Sequence, residues 1–265
     1  MKAGIREKYD RLQEILRGLG QVAVAFSGGV DSTLLLSAAC ETLGKDQVVA
    51  LHGVSCLLPR RSPQAADRIF ERHFAGSAQL RRVDLYPLLW DDFAANTDDR
   101  CYFCKKRIYS IFMGEMEKAG VSNLIDGTNA DDLNKDRPGL RALRELGVQT
   151  PLVSAGFHKP EIRELAGERG LENHDLPSNS CLATRIATGV PISVEALRLI
   201  DEAEYFLQKK GFQGCRVRLG GERVIVEVRT EHLDRMTRRE TRESLLQYFQ
   251  SLGLFRVVLD LHGRE

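Results

Sequence analysis

"VAVAFSGGVDSTLLL", Val22–Leu36, joins a run of small apolar residues to a segment of helical spacing through a Ser-Gly-Gly seam. A short, continuously apolar run suits a strand buried on both faces. Glycines after a strand and before a helix permit positive φ and let the backbone approach a ligand closely. The free amides of such a turn, with the helix N-terminus, form an anion nest. Ser27 and Ser32 add hydroxyls, and Asp31 adds a carboxylate able to hold a magnesium ion that bridges phosphates. The turn lacks the lysine of the GxxxxGK[ST] loop and does not have GxGxxG spacing. A bare Gly-Gly would serve any tight βα turn. The full Ser-Gly-Gly-x-Asp-Ser, set between strand and helix, points to pyrophosphate binding by Ser27, Gly28, Gly29, Asp31 and Ser32.

Working outward, "VAVAF", "QVVALHG", "QLRRVDL" and "SNLIDG" read as strands, with helices predicted over Ser32–Leu43, Ser62–Phe74 and Lys105–Ala119. Strands alternating with helices imply βαβ units and a parallel sheet covered on both faces. The fold class expected is α/β, a doubly wound and mainly parallel sheet with ligands at the carboxyl ends of its strands. After Leu171, "ENHDLPSNSCLATRIATGVPIS" has the Pro, Ser, Asn and Gly content of a connector. Beyond it a helix over Val194–Lys210, strands "CRVRLG" and "RVIVEVR", a helix near Arg239–Leu252 and a strand "FRVVLDL" predict a small α+β unit of antiparallel character. The expected domains are therefore 1–178 and 179–265.

The 38 basic and 37 acidic side chains nearly cancel, which favours a small substrate over a nucleic acid. No apolar run approaches the roughly 20 residues of a membrane span. The N-terminus has no signal-peptide core; Ile5, Leu12, Ile15, Leu16 and Leu19 instead recur at helical spacing, as in a leading amphipathic helix of a cytoplasmic protein. In that reducing compartment six cysteines are expected to be free, metal-binding or catalytic rather than bridged.

"DDRCYFCKKR" carries a CxxC at Cys101 and Cys104, and "SNSCLATR" supplies Cys181 77 positions later. Two cysteines three apart on a turn present both thiols to one side. Three such ligands suit a 4Fe–4S cluster with one iron lacking a protein ligand, or a zinc ion with an open position. A zinc staple on the CxxC alone, or unrelated free thiols, also satisfies the spacing. Cys40, Cys56 and Cys215 lie in or beside apolar elements and are expected to be packing residues.

The Ser-Gly-Gly-x-Asp-Ser turn resembles the pyrophosphate loop of the N-type ATP pyrophosphatases, which cleave ATP between the α and β phosphates to adenylate a substrate. "DGTNADD" (Asp126–Asp132) resembles that superfamily's second nucleotide segment, and "PLVSAGFHKPEIRELAGERGL" its Lys-Pro-Glu helix start. Over nearly the whole chain, "CYFCKKRIY", "DRPGLRA", "CLATRIATGVPIS", "GFQGCRVRLGGERVIVEV" and "VVLDLHG" resemble the LarE family, ATP-dependent sulfur transferases of nickel-pincer cofactor synthesis. The resemblance implies adenylation of a carboxylate of pyridinium-3,5-biscarboxylic acid mononucleotide and replacement of AMP by sulfur. One branch of the family gives up the sulfur of its own cysteine at the "CLA" position. The other holds a 4Fe–4S cluster on three cysteines, and Cys101, Cys104 and Cys181 match it. The sequence ends at "LHGRE", where members are expected to run on for a few residues.

The resemblance implies ATP, Mg2+ and the cluster as cofactors and sulfide or another sulfur donor as co-substrate; a homo-oligomer without nucleic-acid or membrane partners is expected. Gly127 would border the nucleotide, Asp131 would contact it or the metal, and Lys105 would offset charge developing on the acyl phosphate. Substrate phosphate and carboxylates call for cations: Arg185, and Arg216 with Arg218, which share one face of a strand. Glu204 and Glu227 would orient them. No histidine has an assigned role. A tRNA thiolase would couple the same loop to cysteines but needs an RNA-binding surface. An adenine-nucleotide-binding module with structural zinc would need no acceptor.

Overall fold

The computed structural model describes residues 2–134, 138–177, 180–221 and 223–264. The expected domain boundary, at 178/179, falls on Ser178 and Asn179, outside the described residues. In chain order the elements begin with α1 (Ala3–Leu19), β1 (Val22–Ala25), α2 (Val30–Leu43), β2 (Val48–Val54), α3 (Ser62–Phe74) and β3 (Gln79–Asp84). Next come α4 (Asp91–Ala94), α5 (Arg100–Lys118), β4 (Asn123–Asp126), α6 (Pro138–Glu145), α7 (Pro151–Ser154) and α8 (Lys159–Glu168). The last are α9 (Val194–Lys209), β5 (Arg216–Gly220), β6 (Arg223–Glu227), α10 (Leu233–Thr237), α11 (Arg239–Ser251) and β7 (Val257–Leu259). They fall into two compact units. One takes the chain through Ser55, Arg61–Pro87, and the chain from Asp99 to Pro177; the other takes Cys56–Arg60, Leu88–Asp98 and the chain from Ser180 onward.

In the first unit β1 alternates its side chains between two cores, as strand geometry requires. Val22 and Val24 join the apolar faces of α1, α2, α3 and α8, whereas Ala23 and Ala25 join Tyr109, Phe112 and Met116 of α5. The sheet is therefore covered on both faces. Its order is β3-β2-β1-β4 with every pair parallel, the α/β architecture expected. The chain runs from β1 through β2 to β3 on one side and then crosses back to place β4 on the other side of β1. That makes a topological switch point, and a crevice opens at the carboxyl ends of such neighbouring strands.

The second unit holds the order β5-β6-β7. β5 and β6 pair antiparallel, but β6 and β7 pair parallel, so the sheet is mixed rather than antiparallel as the alternation suggested. Val217, Val224, Val226, Phe212 and Phe249 form its core with Leu207 of α9. Each fully buried side chain of this size contributes roughly 1.5–3 kcal/mol. Segment Leu88–Asp98 is sewn on by Asn96, whose Nδ2 donates to Ala187 O at 2.8 Å and Val190 O at 2.6 Å.

Candidate active site

At the switch point of the first unit, Gly28 adopts φ +74°, and a Cβ there would also lie 2.7 Å from the Ala66 Cβ of α3. Only glycine meets both conditions. Ser27 N donates to Ser32 Oγ at 3.2 Å, and the two hydroxyls lie 3.1 Å apart. Ser32 Oγ and Thr33 Oγ1 donate to Gly29 O at 3.0 and 2.9 Å. Asn173 fastens the turn from outside, donating to Gly28 O at 2.8 Å. The loop is thus held by its own side chains, with the first amides of α2 lacking intrahelical acceptors.

Gly127, at the end of β4, lies against that helix start: an added Cβ would sit 2.9 Å from Ser32 N. Beside it Asp126, 8% exposed, gathers its neighbours. It accepts from Tyr109 and Thr128 hydroxyls and from Thr128 N at 2.8 Å, with Lys105 Nζ at 3.6 Å. Burial would raise the Asp126 carboxyl, but Lys105, Thr128 and Tyr109 together hold it below its ordinary range. Lys105 and Gly127 therefore flank one carboxylate at the mouth of the switch point.

Asp31 is paired with Lys159 Nζ at 2.5 Å. Burial pushes its carboxyl up, against the lowering effect of Lys159. Asp131 meets the backbone of the same lysine. It accepts from Lys159 N at 2.7 Å and from His158 Nδ1 at 2.6 Å, pinning the start of α8. Sequence reasoning assigned no role to Lys159, Asp126 or His158. The signals were present, for Lys159 in the Lys-Pro-Glu helix start and for Asp126 at the head of "DGTNADD", but neither pattern gives the side chain a partner.

The CxxC does not sit on a turn ahead of a helix, as expected. α5 begins at Arg100, so Cys101 and Cys104 occupy its first turns, three apart on one helix face, Cys101 exposed and Cys104 half-buried. A Cβ on Gly139 would lie 3.2 Å from Lys105 Cδ and 3.6 Å from Cys101 O, so α6 packs closely on this turn.

The second unit carries Cys181 and the arginines. Arg185 is 2% exposed and its donors are used internally, which corrects the expectation that it faces a substrate. Nε donates to Glu204 Oε1 at 2.9 Å and Nη2 to Oε2 at 3.3 Å, while Nη1 reaches Ser180 O, Ser180 Oγ and Thr184 Oγ1 at 2.9, 2.6 and 2.9 Å. It also reaches Cys181 O at 3.2 Å, so Arg185 braces the loop that presents Cys181. Glu204, itself 4% exposed, additionally accepts from Val217 N at 3.0 Å and fixes β5 to α9.

On β5, Val217 faces the core, and Arg216 and Arg218 share the other face. Arg218 is bridged to Glu227 and donates from Nη1 to Thr184 O at 2.8 Å, joining the arginine strand to the Cys181 loop. Arg264, which sequence reasoning passed over, closes on Glu227 at 3.0 Å. Among the described residues the Arg216 side chain has neither a hydrogen bond nor an ion pair within 4 Å, although its backbone pairs with β6. Burial, then Arg264, Arg185 and Arg218, pull its guanidinium down to about 10. Glu227, opposite Arg216 in the ladder, pulls the other way, so the guanidinium sits half-buried among three other cations and one carboxylate.

None of the six cysteines is bridged. Burial pushes the Cys40 and Cys215 thiols up to about 12, in keeping with packing roles, but Cys56 is exposed and does not pack as expected. Three unbridged thiols suit an iron–sulfur cluster in kind. Cys101 and Cys104 belong to one unit and Cys181 to the other, and among the described residues no group of three His, Cys, Asp or Glu is gathered for a metal ion.

No family model matches the chain. It is 32% identical over 268 residues to pyridinium-3,5-bisthiocarboxylic acid mononucleotide synthase of Lactiplantibacillus plantarum, covering 98% of this chain and 93% of that one. It is 31% identical over 261 residues to an uncharacterized protein of Synechocystis sp., covering 98% and 96%. A glutamine-hydrolyzing GMP synthase subunit of Methanosphaerula palustris is 29% identical over 206 residues, 72% of this chain and 64% of that one. With the pyrophosphate-type loop at the switch point and near full-length identity to that mononucleotide synthase, the chain belongs to the LarE family of the N-type ATP pyrophosphatase superfamily.

Proposed function

We propose that the chain is an ATP-dependent sulfur transferase that converts carboxylates of pyridinium-3,5-biscarboxylic acid mononucleotide to thiocarboxylates. Residues 1–178 would form the activating domain and 179–265 the substrate and sulfur-transfer domain. The observation that carries the reading is the bond from Arg218 to the Cys181 loop beside Arg216, whose side chain has no hydrogen bond or ion pair among the described residues. A group presented for sulfur transfer thereby adjoins a clamp for an anionic substrate.

A carboxylate resists substitution because oxide is a poor leaving group, and adenylation supplies AMP in its place. Ser27, Gly28, Gly29 and Ser32 hold the pyrophosphate. Asp31 would hold Mg2+, which supplies charge neutralisation to the phosphates when bound, and Lys159 is freed toward the departing pyrophosphate. Gly127 borders the nucleotide, Asp131 positions Lys159, and Lys105 offsets charge on the acyl phosphate. Arg216 and Arg218, oriented by Glu227 and aided by Arg264, bind the substrate phosphate; Arg185, held by Glu204, positions Cys181. Sulfide adds to the acyl carbon and AMP departs.

Cys101, Cys104 and Cys181 would hold a 4Fe–4S cluster, which when bound supplies an iron without a protein ligand for the sulfide to be transferred. The reading places a homo-oligomer in the cytoplasm with no nucleic-acid or membrane partner; no helix among the described residues is long and apolar enough to cross a membrane. Anaerobic incubation with the nucleotide, ATP, Mg2+ and sulfide tests it. Mass spectrometry should find sulfur in place of oxygen with AMP and pyrophosphate released. ATP turnover without thiocarboxylate, or thiolation of added tRNA, would sink it.

A further inference from the structure

Six cysteines are present and the proposed reaction uses three. Cys40 and Cys215 have packing roles; Cys56 does not. It is exposed in the turn after β2, and it belongs to the same unit as Cys181.

The two cysteines are tied through the backbone. Leu182 N, adjoining Cys181, donates to Leu57 O, adjoining Cys56, at 2.8 Å. Leu57 and Leu182 are both buried, so this link lies in packed structure rather than at a fraying surface. The turn is held further along by Arg60, which meets Asp201 and Glu202 of α9 at 2.6 Å each. On the other side the Cys181 carbonyl accepts from Thr184 Oγ1 at 2.8 Å and from Arg185 Nη1 at 3.2 Å. Standard bond lengths across the Leu182–Leu57 link, plus one Cα step, set the Cys56 and Cys181 Cα atoms at most about 11 Å apart. A disulfide needs roughly 4.4–6.8 Å. That spacing lies inside the bound set by the Leu182–Leu57 link.

We propose that Cys56 is the resolving thiol of Cys181, the two forming a reversible disulfide when Cys181 is not otherwise ligated. With glutathione disulfide as oxidant, the Cys181 thiolate attacks one sulfur, the glutathione S–S bond breaks, and one glutathione leaves and takes up a proton. The Cys56 thiolate then attacks the Cys181 sulfur of the mixed disulfide, and the second glutathione leaves in the same way. Two protein thiols become one disulfide and one glutathione disulfide becomes two thiols. The bond shelters Cys181 from irreversible sulfinic and sulfonic oxidation, and reduction returns it. The inference needs only the two thiols in one unit and stands apart from the sulfur-transfer reading.

The test uses the full chain, reduced and metal-free, incubated with glutathione disulfide, alkylated, and digested with trypsin without reduction. The peptide 46–60 contains only Cys56 and 170–185 only Cys181, whereas Cys101 and Cys104 share the peptide 101–105. The expected result is a 46–60/170–185 linked pair as the dominant intrachain disulfide. It should vanish in Cys56→Ser, where Cys181 accumulates with one glutathione attached, and dithiothreitol should reverse it. Circular dichroism checks that the Cys56→Ser chain is folded. A Cys181 linked chiefly to Cys101 or Cys104, or one that stays glutathionylated in the unsubstituted chain while Cys56 is fully alkylated, overturns the proposal.

Discussion

Glu204→Ala should destabilise the second unit severely, and the size of the loss follows from its contacts. The Arg185 and Glu204 side chains are 1% and 5% exposed. Removing the carboxylate strands a buried guanidinium, a change that typically costs 3–5 kcal/mol. It also removes the acceptor of Val217 N, a backbone donor in the core of β5. We therefore expect a loss of about 4 kcal/mol, equivalent to about 2 M in urea midpoint for a slope near 2 kcal/mol/M. The chain's single tryptophan, Trp90, lies in this unit and reports its unfolding by fluorescence. Arg185→Met should cost a similar amount. The double variant Arg185→Met/Glu204→Leu should recover most of the loss, because a buried pair replaced by apolar groups of similar volume is often neutral. The coupling energy should then exceed about 2 kcal/mol. Thiolation should stay impaired in the double variant, since four acceptors of the Cys181 loop lose their donor. Singly additive losses, with coupling below about 0.5 kcal/mol, would refute the claim that this pair holds the loop.

Gly127→Ala inserts a methyl 2.9 Å from Ser32 N and should cost roughly 1–3 kcal/mol while weakening ATP binding, measured by thermal shift and equilibrium dialysis. Arg216→Ala should raise KM for the mononucleotide about 10- to 100-fold, as for a lost charge-assisted bond of roughly 1.5–3 kcal/mol, with stability unchanged or improved because like charges are relieved. Asp31 separates stability from activity. Burial raises its folded-state carboxyl above the unfolded value, so the ionised form costs stability at neutral pH, and that cost disappears as pH falls below the unfolded value. Asp31→Asn should accordingly match or exceed the parent's melting temperature at pH 7, lose that advantage near pH 4, and release pyrophosphate about 100-fold more slowly or worse.

Local pattern carried the first unit because its signals are local. Val22–Ala25 must alternate between two cores, and the Ser27–Ser32 turn must use glycine where α3 comes close. The start of α5 was hidden because Asp98, Asp99 and a CxxC look like a loop, although Cys101, Lys105, Tyr109, Phe112 and Met116 keep helical spacing. Acidic residues just before and cysteines just inside a helix are equally consistent with both readings. The parallel pairing of β7 was invisible because register with β6 is decided by packing of α10 and α11 between them in sequence. Arg185 illustrates the same limit in the site. A polar loop predicts exposure, and only Glu204, 19 residues later on another element, makes its burial tolerable. Arg264 escaped notice because its partner, Glu227, lies 37 positions away.

The central claim is that ATP activation in one half of the chain is coupled to sulfur delivery beside Cys181. The most direct measurement is anaerobic single-turnover mass spectrometry with the mononucleotide, ATP, Mg2+ and isotopically labelled sulfide, run on the parent, Cys101→Ser and Cys181→Ser. The account predicts labelled thiocarboxylate with equimolar AMP in the parent, and AMP formation without labelled product in both variants. Labelled thiocarboxylate formed at the parent's rate by either variant would contradict it.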